Sequence, residues 1–477
     1  MGSNIDYERY DGLGLAGLVK NGSVSAAELL EAAIERVEQR NPAINAVVRR
    51  MYDQAKAAIA AGLPSGPFSG VPYLLKDNGP YHAGTITTFG SSAFRKFIPD
   101  RDSEMVVRLK QAGLVIFGNT HSPEFGLSSS TESRLFGATH NPWNLEYSAG
   151  GSSGGSAAAI ASGMVPMAYA NDGGGSIRTP ASCCGLFGLK PTRARTPVGP
   201  ELGEWWSGMA IAHAITRSVR DSAALLDVTA GAEIGDPYWA PPLKRSYQAE
   251  VGADPGRLRI AFTTKPWNLH EVDSECVEAV GKAAKLCEDL GHHIEETSPE
   301  IDQAGLGNAI WIIVTAQTSL WLEFAAAVLG RQPTSEDVET VTWAYAENAR
   351  QFFASDYAEA RNTLHRTGRT VGRFFTGYDI LMTPAMCTPP HKLGEVSMMK
   401  SDIQAFQKIV DGDIGFTILF NASGNPAMSV PLHWSAEGLP VGVQFVAPFG
   451  DEATLFRLAG QLETARPWAD RRPAQNF

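Results

Sequence analysis

Apolar positions along the chain switch repeatedly between two spacings. Ala26, Leu29, Leu30, Ala33, Ile34 and Val37 recur every three or four residues, one face of a helix. Ser25 and Glu28 form a capping box at its start, and Asn41-Pro42 is expected to end it. Val71-Pro72-Tyr73-Leu74-Leu75 is a short unbroken apolar run, the pattern of a buried strand, with Lys76-Asp77 at its end. Glu104 to Ala112 reads as a helix closed by Gly113, and Leu114 to Phe117 as the strand after it. An alanine-rich helix over Ser156–Ser162 and a strand over Val165–Ala170 come next. Further strands are predicted over Leu258–Phe262, Asp379–Met382, Ala427–Pro431 and Val441–Val446. Helical and strand patterns thus alternate along the chain, which reads as an α/β fold.

The stretch from Asn308 to Phe375 differs. It is helical in pattern and carries Trp311, Trp321, Trp343, Phe352, Phe353, Phe374 and Phe375. With Trp205-Trp206 these rings suit either an apolar pocket or ordinary core packing. Asp236 to Pro255 holds several prolines and reads as a surface connection, and no segment has the composition of a flexible tether.

Composition narrows the partners. The 477 residues carry 40 Lys and Arg against 51 Asp and Glu, a formal charge of −11, so a phosphate backbone is a poor partner and no nucleic acid is expected. No stretch reads as the ~20 apolar residues of a membrane span, and Met1 to Asp11 lacks the order of a signal peptide. No membrane association is expected. The five cysteines are sparse and unpatterned, which fits a reducing, cytoplasmic setting. No pair has zinc-site spacing, and no metal or other cofactor is expected.

Several motifs suggest chemistry that their context does not support. Gly12 to Gly17 fits GxGxxG but follows no strand pattern, so a glycine-containing helix or turn is the better reading. Gly150 to Gly154 fits the GxSxG of a nucleophile elbow, but Asn141 to Ser148 reads as a loop, and His213, His270 and His433 stand in no telling context. His292-His293 reads as a solvated turn rather than a metal site, and Cys183-Cys184 as small buried side chains.

The densest feature runs from Gly150 to Thr192. It contains Gly150-Gly151-Ser152-Ser153-Gly154-Gly155-Ser156, then Asp172-Gly173-Gly174-Gly175-Ser176-Ile177-Arg178, then Lys190-Pro191-Thr192. Two serine-bearing glycine loops cost conformational entropy, so they suit places where backbone must approach something closely. Either loop alone is equally well read as a tight turn with an N-cap serine or as a phosphate cradle.

Together, and with Gly70-Val71-Pro72-Tyr73-Leu74-Leu75-Lys76-Asp77 upstream, they resemble the amidase signature family, serine amidases with a Ser-Ser-Lys triad. Leu135 to Trp143 and Gly438 to Gln444 also resemble family segments. The resemblance implies one domain over 1–477, with a signature core at about 66–230 and a helical, substrate-side segment at about 305–376. It implies a central mixed β-sheet flanked by helices on both faces. Ser176 would be the nucleophile, Ser152 a bridging serine behind a cis peptide bond, and Lys76 the base. Gly173, Gly174, Gly175 and Ser176 would form the oxyanion hole. Ser128, Ser129 and Asn171 would contact substrate. Gly173 departs from the threonine or isoleucine more common after the aspartate, which suggests a different pocket floor.

The implied activity is hydrolysis of C–N bonds through an acyl-enzyme, or a carbamoyl-enzyme for a carbamate. The partner would be a small or oligomeric amide or carbamate, and the chain a monomer or homodimer. Asn141 to Asn144, Asn171-Asp172, Pro467-Trp468 and Arg471-Arg472-Pro473 resemble the nylon-oligomer hydrolases of the family, with urethanases and aryl acylamidases as related activities. That subgroup carries a cysteine in the helical segment, and none lies between Cys287 and Cys387 here. The alternative is a glutamine-hydrolysing subunit of an amidotransferase complex.

Overall fold

Eleven strands join in one sheet, in the order Val47–Arg50, Val115–Thr120, Pro72–Lys76, Met167–Asp172, Ile211–Thr216, Phe187–Lys190, Ala427–Trp434, Pro440–Val446, Ile380–Pro384, Arg259–Phe262 and His293–Glu296. The structure is a computed structural model and describes residues 6–474, so Met1–Ile5, part of the stretch read for a signal peptide, lie outside it. Pro72–Lys76 runs parallel to both neighbours, and Arg259–Phe262 to both of its own; the remaining pairs are antiparallel. The sheet is therefore mixed, and its inner strands are buried along their whole length. Strands buried on both faces must be covered on both.

Alternate residues of single strands show the covering layers. Ile260, Ile380, Met382, Met428, Val443 and Phe445 pack with the helices Val219–Thr229, Ser274–Asp289 and Glu452–Ala465. Their neighbours Ala261, Leu381, Ala427 and Val446 pack with the helices Gln303–Leu329, Ala354–Phe374 and Ile418–Ser423. The strand period of two thus feeds two separate cores.

Most predicted elements stand, and three details differ. The first long helix runs Ala26–Ile44, through Pro42, and ends at Asn45 in the left-handed conformation at φ 55°. Pro42 sits in the last turn, where its missing N–H leaves only the exposed Glu38 without that partner. Asn141 to Ser148 is a small hairpin, His140–Asn141 with Asn144–Ser148, rather than a loop. The aromatic stretch is three helices, Gln303–Leu329, Thr340–Ala349 and Ala354–Phe374. The first is long and apolar enough by length and composition to cross a membrane, which corrects the reading that no stretch is. In this fold it packs on the other two.

Phe445 is fully buried and pairs with Met382 on one side and Met428 on the other. Phe445→Ala is expected to destabilise the protein by about 3–5 kcal/mol, read from chemical denaturation midpoints.

Candidate active site

Lys76 is the last residue of a wholly buried strand and is itself 1% exposed. Asp77 follows and turns the chain, accepting from Thr88 N at 3.2 Å, Gly90 N at 3.1 Å and the Thr88 hydroxyl. Burial strips water from the lysine ammonium and drives its pKa well below the ordinary value; Asp172 opposes this and does not overcome it.

Three groups surround Lys76 Nζ: Ser152 Oγ at 2.7 Å, Ser153 Oγ at 3.0 Å and Asn171 Oδ1 at 2.7 Å. A neutral amine has two N–H donors and one lone pair. Asn171 Oδ1 only accepts, and its orientation is set by Nδ2 donating to Asn78 O at 2.6 Å. Ser153 gives its proton to Asn171 O at 3.3 Å and so accepts from the lysine. An ammonium would donate to all three groups; a neutral amine would keep one lone pair, which the Ser152 hydroxyl, giving its proton to no other acceptor among the described residues, could meet.

Ser152 is held by the turn between the hairpin and the helix Gly154–Ala161. The Gly151–Ser152 peptide is cis, as the family resemblance implies. Gly151 presses on neighbouring backbone: a Cβ there would come 2.6 Å from Ser128 O. Thr131 Oγ1 ties the turn, donating to Gly150 O at 2.8 Å and accepting from Gly154 N at 3.0 Å.

The second loop leaves the end of Met167–Asp172. Gly175 has φ 148°, a conformation that favours glycine. Among the described residues, the backbone N–H groups of Gly173, Gly174, Gly175 and Ser176 donate to no protein acceptor. The loop is closed from below by Asp172. Its Oδ2 accepts from Ile177 N at 3.1 Å and Arg178 Nε at 2.9 Å, and its Oδ1 from Arg178 Nη2 at 2.8 Å. Arg178 also donates to Thr417 O at 2.9 Å and Gln444 Oε1 at 2.7 Å. Both ions are fully buried. Burial disfavours the Asp172 charge, but Arg178 and Asn421 outweigh it and hold the carboxyl at about 2.

Ser176 opens onto a cavity of about 680 Å3 together with Gly126, Ser128, Ser129, Gly151 and Gly174. The walls are apolar and aromatic, with Trp206, Trp267, Trp311, Tyr345, Ile414 and Ile418. Asn268, Gln303, Asn308, Gln407 and Asp411 add polar groups to the lining, and a cavity of this size suits a bulky organic substrate.

Comparison with known proteins decides the family. A family model described as amidase matches residues 28–456. The 6-aminohexanoate-cyclic-dimer hydrolase of Paenarthrobacter ureafaciens is 39% identical over 479 residues, covering 97% of this chain and 96% of its own. The chain belongs to the amidase signature family. A solved structure of 6-aminohexanoate cyclic dimer hydrolase aligns at a TM-score of 0.92 and 37% identity, over 98% of this chain and 99% of that one. A bacterial aryl acylamidase aligns at 0.88 and 27% identity, over 96% and 97%. This amidase is an enzyme acting on C–N bonds of amides.

The structure brings Lys76 and Ser152 into contact, and Ser176 and Gly151 line the same cavity. Ser176 Oγ makes no hydrogen bond among the described residues. Ser128 and Ser129 line the cavity, but their protons already go to Val396 O at 3.1 Å and Asp413 Oδ2 at 2.6 Å, leaving acceptor capacity. Asn171, expected at the substrate, instead has both ends of its amide taken, by Lys76 and by Asn78 O. The departure at Gly173 has a steric reason: a Cβ there would lie 3.0 Å from the Trp206 ring.

Sequence reasoning missed Ser153 and Asn78, and placed Trp206 at a pocket or in the core without foreseeing its contact with Gly173. Ser153 stood inside the glycine motif; nothing in the chain near Trp206 marked it as a cover for residue 173. The dismissed motifs resolve as well. Gly12 opens the helix Gly12–Lys20, whose N-terminal Gly12 and Leu13 N–H groups are filled by Asp221 at 2.6 and 2.9 Å. A strand, turn and helix do surround Ser152, yet its partner is a lysine, while His213 contacts Ser222 at 2.9 Å and His433 contacts Glu275 at 3.0 Å. His292 is buried against Gln461 at 2.8 Å, not in a solvated turn. Cys183 and Cys184 are free and buried, as expected.

Asp172→Asn would leave the Arg178 charge buried without its counterion. It is expected to cost about 3–5 kcal/mol of stability, measured by denaturation, and to lower turnover by loosening the glycine loop.

Proposed function

We propose that this amidase hydrolyses amides with bulky apolar arms, cyclic nylon-oligomer amides and aryl amides first among them, with Ser176 as nucleophile, Ser152 as bridge and Lys76 as base. The observation that carries this reading is the buried Lys76, its charge disfavoured by burial and its Nζ 2.7 Å from Ser152 Oγ. A serine hydroxyl is a weak nucleophile until a base removes its proton. With substrate bound, Ser176 attacks the carbonyl carbon and passes its proton to Ser152, which passes its own to Lys76. The oxyanion meets the free N–H groups of Gly173 to Ser176; one such donor is worth about 3 kcal/mol of barrier. The lysine then returns a proton through Ser152 to the leaving nitrogen. The C–N bond breaks, the amine departs, and water releases the acid by the same route.

The substrate class follows from the aromatic walls of the Ser176 cavity and from the names of the similar proteins. A carbamate presents the same carbonyl and would pass through a carbamoyl-enzyme. Ser129, which lines the cavity and gives its proton to Asp413, would accept from a substrate N–H, with Ser128 beside it already accepting from Ser130 N at 3.1 Å. The purified chain assayed against the cyclic dimer of 6-aminohexanoate, an anilide, a carbamate and glutamine, read by released amine, tests the reading. Release from the cyclic dimer and the anilide without any partner is the expected result. Turnover of glutamine alone would instead support the amidotransferase subunit.

Ser176→Ala is expected to lower kcat on an anilide by at least about a thousandfold. Turnover near the original rate would remove Ser176 from its role. Because the working form of Lys76 is the neutral amine, kcat/KM should fall as pH drops through its depressed pKa and level off above it. Lys76→Met should abolish that acidic limb along with the activity, and a flat profile in the parent enzyme would exclude the lysine base.

A further inference from the structure

Asp413 is a buried carboxylate outside the chain of Lys76, Ser152 and Ser176. It ends the helix Ile403–Asp413 and is 1% exposed. Among the described residues His391 pairs with it and no Lys or Arg does. Its Oδ1 accepts from His391 Nε2 at 2.7 Å and from the Thr388 hydroxyl at 3.3 Å, and its Oδ2 from the Ser129 hydroxyl at 2.6 Å. A carboxylate only accepts, so this contact puts a proton on His391 Nε2. The other ring nitrogen, Nδ1, lies 3.5 Å from Glu395 Oε2.

The Ser129 end of this chain of bonds lies at the catalytic end of the cavity. Ser129 lines the cavity together with Gly151 and Ser176. A Cβ on Gly151, the residue before Ser152, would come 2.6 Å from Ser128 O, 2.7 Å from Ser129 C and 2.8 Å from Ser130 N. Ser129 is therefore packed on the turn that carries Ser152. His391 is tied to the same turn: its O accepts from Ser148 N at 2.8 Å, and Ser148 Oγ accepts from Gly150 N at 3.0 Å. A hydrogen bond to an ionised carboxylate is stronger than one between neutral groups, so the Ser129 proton is held by Asp413. That leaves Ser129 with lone pairs alone to offer a substrate.

We propose that Asp413 is a positioning residue that keeps Ser129 an acceptor toward the cavity, so that the enzyme selects substrates whose leaving nitrogen carries an N–H over esters and N,N-disubstituted amides. An ester oxygen or a fully alkylated nitrogen has no proton to give Ser129, and an ester oxygen sets its own lone pairs against those of the serine. The proposal rests on the amide-hydrolase reading and adds to it the residue that sets the choice of leaving group.

The test compares the anilide, the N-methylanilide and the phenyl ester of one acid as ratios of kcat/KM, so that intrinsic reactivity cancels between variants. In Asp413→Asn the amide oxygen stays with the His391 proton and the amide N–H turns to Ser129, whose own proton is then released toward the cavity. The anilide-to-N-methylanilide and anilide-to-ester ratios are each expected to fall about tenfold, the effect of one hydrogen bond. Ser129→Ala should lower both as far, and adding Asp413→Asn to it should change them no further, a coupling that general loosening of the site would not give. A second arm leaves Asp413 intact. In Ser176→Ala, the anilide's calorimetric affinity relative to the N-methylanilide should be about tenfold greater than in Ser176→Ala with Ser129→Ala. Unchanged ratios in Asp413→Asn, a further fall when it is added to Ser129→Ala, or the same relative affinity with and without the Ser129 hydroxyl overturns the proposal. A parent enzyme that turns over none of the three compounds sinks the hydrolase reading, and the binding arm still decides this one.

Discussion

A lysine buried where its charge is disfavoured is the constraint around which the site is arranged. Lys76 ends a strand buried along its whole length, and burial disfavours its charge. Its three partners come from two places: Asn171 from the neighbouring strand Met167–Asp172, and Ser152 and Ser153 from the turn before Gly154–Ala161. Two are committed as acceptors by their own bonds elsewhere, to Asn78 O and Asn171 O. The third is free to donate. Burial disfavours the charge, and in the neutral form Ser152 is the partner with a proton to offer the lone pair.

A carboxylate so near would be expected to restore the lysine's charge. Asp172 does act in that direction, but its negative charge is already held by Arg178 and Asn421 in a fully buried cluster. The same cluster closes the glycine loop, because Asp172 accepts N–H groups from beyond Ser176. One ion pair therefore does two jobs: it keeps a nearby charge quiet and leaves the N–H groups of Gly173 to Ser176 free beside the cavity.

Much of this was legible in the chain. The run Val71 to Leu75 ending in Lys76 announced a buried strand with a buried lysine at its tip, and the glycine loops announced close backbone approach. The alternation of elements announced the α/β class. Less was legible where two distant segments meet. Asn171 reads in sequence as one more residue of a motif, and only the pairing of adjacent strands turns its amide toward Lys76. Trp206 covers Gly173 from a different loop, which no local spacing reveals. Pro42 reads as a helix stop, but its position in the last turn makes the lost hydrogen bond inexpensive. The aromatic run from Trp311 to Phe375 divides between cavity wall and core because three helices present different faces, a division that helical period alone leaves open.

By itself, then, the chain determined which backbone could bend sharply, which strand would be buried and which residue types could take part in proton transfer. These are local properties, set by side-chain volume, polarity and the freedom of glycine. The tertiary structure decided which of the polar groups face one another, which are used up by partners far away in sequence, and where empty volume is left between packed layers. Those are properties of surfaces brought together from distant parts of the chain, and no window of neighbouring residues contains them.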